Sequence, residues 1–239
     1  MRKLMVPFVL ALTALSSNAS ADALGLYVGG GVWDHDPSGS FGTTGDSVID
    51  MESNLNYEED SDSYVYVALE HPVPMVPNIR IESVSMGHTG TSSASIVFDG
   101  QTVNTGSKSA INLDNTDFIL YWRLLDNWVN LDLGFNARKL DADFTVGTKT
   151  VAVSETIPML YIAAQFDLPL TGLSIGADIN HISYSDAKYQ DVRIRALYEM
   201  GVVGIELGLK TTTLDLKGLD TIESSIEFKG MMVGAFLHF

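Results

Sequence analysis

Between Val129 and Arg138 the chain alternates without a break. Val129, Leu131, Leu133, Phe135 and Ala137 interleave with Asn130, Asp132, Gly134, Asn136 and Arg138. A strand turns successive side chains to opposite faces, so one face here is wholly apolar and the other polar or small. The same rhythm returns in Leu173, Ile175, Ala177 and Ile179 against Ser174, Gly176, Asp178 and Asn180. It returns again in Val203, Ile205, Leu207 and Leu209 against Glu206, Gly208 and Lys210. Such a chain can turn its apolar rows inward, as a soluble sandwich or barrel, or outward into lipid. The polar rows decide between these. A water-soluble fold would bury the apolar rows and show polar outer faces, whereas Gly, Asn, Asp and Arg as inner residues suit a closed barrel in a membrane.

Taken in order, the pattern gives ten strands, or eight if two weak ones are loop extensions. The fold class expected is all-β: a transmembrane up-and-down antiparallel barrel. Ala23–Trp33 opens it with a Gly-rich inner face, and Tyr64–His71 ends at Pro72, Pro74 and Pro77, which cannot donate in a ladder. Asn78–Gly87, Leu113–Leu125, Val129–Arg138, Thr156–Asp167 and the strand from Leu173 follow, then strands around Val192–Glu199, Val203–Lys210 and Lys229–Phe239. Residues 34–62, 88–112, 141–153 and 215–224 read as polar loops, the second holding a small hairpin that turns at Asp99-Gly100. Short connections after the even strands and longer ones after the odd strands match the two ends of such a barrel.

Met1-Arg2-Lys3, the apolar run Leu4–Leu15 and the small-x-small site Ala19-Ser20-Ala21 make residues 1–21 a secretory signal peptide, leaving 22–239 as one barrel domain. The run is shorter than the roughly 20 apolar residues a membrane helix needs. The absence of cysteine means that neither disulfides nor a lipoprotein acyl anchor take part. Losing Arg2 and Lys3 moves the formal charge from −16 to about −18, which argues against nucleic acid as a partner. Nine acidic residues (Asp34, Asp36, Asp46, Asp50, Glu52, Glu58, Glu59, Asp60, Asp62) fall within 34–62 with no Lys or Arg among them.

The last strand puts Met231, Val233, Ala235, Leu237 and Phe239 on one apolar face, ending on Phe239. In this the chain resembles the bacterial outer-membrane β-barrel proteins of Gram-negative cells, many of which have no assigned activity. The resemblance implies export through the periplasm, residence in the cell outer membrane, and both termini on the periplasmic side. It also implies Leu237 and Phe239 as a signal for the barrel-assembly machinery, membrane lipid and lipopolysaccharide as surroundings, and a monomer.

On this register the lumen receives Arg80, Arg123, Arg138, Arg193, Arg195 and Lys210 with Glu82, Asp117, Asp132, Asp178, Asp191, Glu199 and Glu206. Ten strands enclose little more than side chains can fill, and Arg takes carboxylates two at a time. A wide porin is thereby excluded. A narrow channel and a structural or surface-interaction barrel both remain. The first expectation is a non-enzymatic protein without cofactor, since no phosphate loop or zinc spacing occurs.

Two catalytic alternatives stay open. His181 and Ser183 share an outward face, where an imidazole can activate a hydroxyl against an acyl ester. That pair resembles the outer-membrane lipid A deacylases, although the neighbouring strand offers no outward carboxylate. Asp34-His35-Asp36 resembles the mouth of the ten-stranded omptin proteases. A second acid–His constellation is needed there, and His71, His88 and His238 do not supply it on this register. Glu58, Glu59, Asp60 and Asp62 form the one candidate for a divalent cation, without the loop pattern of a calcium site.

Overall fold

The computed structural model describes residues 24–73, 75–184, 187–219 and 222–239. The expected signal peptide, residues 1–21, lies outside the described residues. Ten long strands form the wall: β1 (Gly25–Thr43), β2 (Asp60–Glu70), β3 (Asn78–Val84), β4 (Lys108–Asp126), β5 (Val129–Val146), β6 (Lys149–Leu168), β7 (Leu173–Tyr184), β8 (Ala187–Met200), β9 (Val203–Leu219) and β10 (Ile222–His238). Each pairs antiparallel with the next, and β10 returns to β1 with Val32 opposite Val233, so the sheet closes. No helix occurs among the described residues. This is a closed, ten-stranded antiparallel barrel of the transmembrane type.

A belt of outward apolar side chains explains that type. Val32, Ile81, Phe118, Phe135, Leu160, Ile175, Ile194, Ile205, Leu207 and Val233 are all exposed, on nine different strands. Water would penalise so large a continuous apolar ring, whereas lipid does not. Up to Leu160 opposite His181, where β6 and β7 part, the ladder leaves the lipid no open sheet edge to face.

Halfway along the strands the pattern reverses. On β5 the outward row runs Leu133, Phe135, Ala137 and then Lys139, Asp141, Asp143, while the buried row runs Asp132, Asn136, Arg138 and then Leu140, Ala142, Phe144, Val146. On β1 the outward row likewise passes from Val28 and Val32 to Asp34 and Asp36. The end carrying both termini is therefore lipid-facing outside and polar inside. The far end is built the other way, polar outside around an apolar core of Phe41, Met51, Leu55, Ile111, Phe144 and Phe228.

This reversal corrects the expected loops. Residues 34–62 do not form one loop: β1 continues to Thr43, and its partner Ile49–Asp50 and the segment to Tyr57 pack apolar side chains into the far mouth. Gly87–Thr91 prolongs β3 along β4, and β5 and β6 stay paired up to Val146 opposite Lys149, so 141–153 is strand with a tight turn at Gly147. β9 and β10 also extend into 215–224. Three of the five far-end connections are thus only two residues long, while the two longest connections of the barrel, 44–59 and 85–107, do lie at that end as expected. The hairpin Ile96–Phe98/Gln101–Val103 turns on Asp99 and Gly100, whose positive φ values of 52° and 67° suit a two-residue turn, and Phe98 from it is fully buried.

Candidate functional site

The interior has three layers. At the terminal end a cavity of about 500 Å³ opens between Tyr27, Tyr66, Tyr121, Tyr161, Arg123 and Glu199. Arg123 donates to both oxygens of Glu70, at 2.9 and 2.6 Å, and to Asp132 at 3.0 Å. His238 lies 3.0 Å from Glu199 and stacks on Tyr27 at 3.9 Å.

Above it, ion pairs cross the barrel. Arg80 bonds Glu82, which also receives Arg193 at 2.9 Å from the opposite wall. Arg193 reaches Asp178 at 3.1 Å, Arg195 joins Asp178 to Glu206, and Tyr64 donates to Glu206 at 2.7 Å. Arg138 grips Asp117 with two bonds, at 2.7 and 2.6 Å, and also donates to Asp191. The Lys210 ammonium sits 4.6 Å over the ring of Trp33, where charge gives way to the apolar core. Arg138 and Glu206 are each 1 % exposed and Arg193 is 4 % exposed. Water therefore reaches almost nothing of these three side chains. Paired geometry of this kind is what makes buried charge tolerable, because an unpartnered ion costs several kcal/mol.

The third layer lies above the lipid belt, level with the exposed Asp34 and Lys229. Here His35 and His88 meet, with His88 Nε2 3.1 Å from His35 Nδ1. His88 Nδ1 donates to the Glu58 carbonyl at 3.0 Å, and His35 Nε2 lies 3.3 Å from Asp62 Oδ2 without a well-aligned hydrogen bond. Asp62 also accepts from the Gly87 amide at 2.7 Å. Trp33, Tyr57 and Phe228 wall the rings in, and each imidazole is 1 % exposed. Burial, with help from the neighbouring His88 and Lys210, pushes the His35 imidazole down to about 4. Burial also lowers His88 and raises Asp62.

The sequence reading gave His88 no part here, because it lay in a stretch read as loop. Once Gly87–Thr91 prolongs β3, His88 faces inward and stands across from His35. The available signal is the spacing of two that runs on from Glu82 through Val84 and Met86 to His88, which keeps His88 on the inward row.

The remaining candidates are scattered. His181 pairs in register with Leu160 and Gln190, its Nδ1 has no partner, and no hydrogen bond joins it to Ser183. Glu58, Glu59 and Asp60 are exposed, and Glu59 is raised by the charges of Asp34 and Asp36. Among the described residues no three His, Asp or Glu side chains are placed to hold a metal ion. Leu237 faces outward, and Phe239 closes the ring through paired backbone bonds with Leu26 at 2.9 Å.

No family model matches the chain, and no curated protein matches it. Among solved structures it is similar to the outer membrane protease OmpT from Escherichia coli, at 10 % identity and a TM-score of 0.49, over 91 % of this chain and 96 % of that one. It is also similar to Neisserial surface protein A (NspA), at 7 % identity and a TM-score of 0.36, over 90 % and 97 % of the two chains. The P. putida toluene transporter TodX is similar at 8 % identity and a TM-score of 0.30, over 92 % and 91 %.

Proposed function

We propose that this chain is a non-enzymatic, non-conducting barrel of the Gram-negative outer membrane. Its far half stands outside the lipid as a rigid acidic surface for contact with other components of the cell surface. The observation that carries this is the reversal of facing along the strands, which sets a water-exposed shell directly on a lipid-embedded one. Two closures in series support the absence of transport: the buried ion pairs and the apolar core above them. Exposed Asp34, Asp36, Glu59, Asp60, Asp141 and Asp143 give the shell its sign, and lipopolysaccharide with bridging divalent cations is the partner that sign fits. A monomer with its termini in the periplasm is the arrangement that puts this shell outside the cell.

The hydrolytic alternatives find less support. A catalytic imidazole must touch substrate, and His35 and His88 are enclosed by aromatic rings, while no hydrogen bond joins His181 to Ser183. In planar bilayers the refolded protein is expected to give no unitary currents, and discrete openings would overturn the closed reading. Cleavage of a fluorogenic peptide library, or a changed lipid A mass on expression, would overturn the non-enzymatic one.

A further inference from the structure

β6 and β7 part above Leu160. They pair from Leu168 opposite Leu173 only as far as Leu160 opposite His181. Beyond that point β6 stays on β5 up to Lys149, and β7 stays on β8 up to Tyr184. Pro158 stands next to the parting. It keeps its place opposite Ala137 on β5, and having no N–H it offers no donor toward β7.

Behind the open seam lies a cavity of about 330 Å³, walled by Leu140, Val153, Ile157, Ile182, Tyr189 and Leu216. That volume is within the range of small-ligand sites, roughly 300–1,000 Å³. Its floor is the apolar core of the far half, and its polar groups (Glu155, Thr156, Tyr184 and Lys188) are exposed or half-exposed. The height of the seam is fixed by register. Thr156 stands opposite Lys139, the residue at which the outer row of β5 changes from apolar to charged. The cavity is therefore continuous with the lipid-facing belt at its upper edge. At that edge a hydrocarbon chain enters it sideways from the leaflet without crossing water.

We propose that this seam is a binding site for one acyl chain of a lipid from the surrounding leaflet, with the lipid's polar head held at the rim by Thr156, Tyr184 and Lys188. The burial of apolar surface on both sides drives the insertion. The proposal rests on the membrane-spanning fold and is independent of the surface role. It is tested in the full-length refolded protein, in phosphatidylcholine vesicles doped with a phosphatidylcholine that carries a diazirine in its acyl chain. After irradiation, adducts are expected to concentrate within residues 150–158 and 182–189, to fall with excess unlabelled lipid, and to sink to the level of the rest of the belt in Ile182→Trp. Adducts spread evenly around the belt would overturn the proposal, as would an excess at the seam that Ile182→Trp leaves intact. If that variant fails to fold, competition in the wild-type protein decides alone. A seam labelled by a diazirine fatty acid added from solution but not by the lipid would also overturn it, because the occupant would then be a soluble amphiphile.

Discussion

His88 Nε2 stands 3.1 Å from His35 Nδ1, and this contact constrains the protons of a whole chain of groups. The Glu58 carbonyl can only accept, so His88 Nδ1 carries a hydrogen. One proton lies between the two rings, and another must lie between His35 Nε2 and Asp62 for that contact to be attractive. Two neutral imidazoles bring two of these three protons. Burial lowers both histidines and raises Asp62, so it favours the neutral form of all three groups.

Stability should therefore fall on acidification. Below the ordinary histidine value of 6.5 the unfolded chain takes up protons that His35, held down to about 4, refuses in the folded state. The contribution is complete above 6.5 and is eroded between there and about 4. Asp62, which holds its proton more tightly when folded, offsets part of the loss. Lys210 on β9 opposes protonation of His35, while Asp34 and Asp60 favour it. The urea midpoint in vesicles is expected to drop from pH 7 to pH 5, and to drop less in His35→Asn. A midpoint that rises over this interval would contradict the assignment.

Arg138 is fully buried and held by Asp117 and Asp191 together. Arg138→Met leaves two carboxylates facing each other without a cation, a change that costs about 3–5 kcal/mol where a buried pair is broken from one side. Asp117→Asn and Asp191→Asn added to Arg138→Met should restore much of it, because the charge to be compensated goes as well. Equilibrium urea unfolding of the single and triple variants measures the difference. Equal midpoints for the two would show that the ion pairs contribute little.

The lipid-embedded half could be read from the residues because each strand there has one apolar and one polar row. The far half could not. On β5 the run from Lys139 to Val146 keeps perfect alternation, yet its charges stand on the row that carried Phe135, so the hydrophobic pattern changes phase and reads as loop. Segment 34–62 misleads through composition: its Gly, Ser, Thr and Asp suit a loop, but Phe41, Ile49, Met51 and Leu55 are among its fully buried side chains. The inner ion pairs could be expected as a set from the register. Which Arg meets which carboxylate could not, because Glu82 and Arg193 lie on strands far apart in sequence. His35 and His88 are not legible as neighbours because they lie far apart in sequence and the composition of 88–112 places His88 in a loop.

Gly31 lies opposite Gly234 on β10 and opposite Tyr64 on β2. A Cβ on Gly31 would come 2.1 Å from the Val233 carbonyl, and one on Gly234 would come 2.3 Å from the Tyr64 hydroxyl. Both glycines make room for the tyrosine whose hydroxyl bonds Glu206. Gly234→Ala pushes Tyr64 off that bond and should cost about 1–3 kcal/mol, the usual range for overpacking. Gly31→Ala meets backbone, which yields less readily, and should cost more. Heat-modifiable mobility on gels ranks the two, and a more stable Gly31→Ala would show that the β1–β10 contact is looser than described.

The proposed closure of the lumen by two layers in series predicts what closure by one layer would not. Glu82→Ala with Arg193→Ala removes the ion pair that spans the barrel and opens polar space in the middle layer. Above it, Met51, Leu55, Phe98 and Phe144 remain packed, and an apolar constriction excludes ions by refusing them water. The double variant should therefore stay silent in planar bilayers. Removing the Ile96–Val103 hairpin alone should also leave the bilayer silent, because the charge layer below is untouched. Only the two changes together are expected to produce currents, and these should prefer cations, since Asp34, Asp36 and Glu59 stand outside the mouth. Currents from the Glu82/Arg193 double variant by itself would mean that the far core leaks, and that the ion pairs are the real gate.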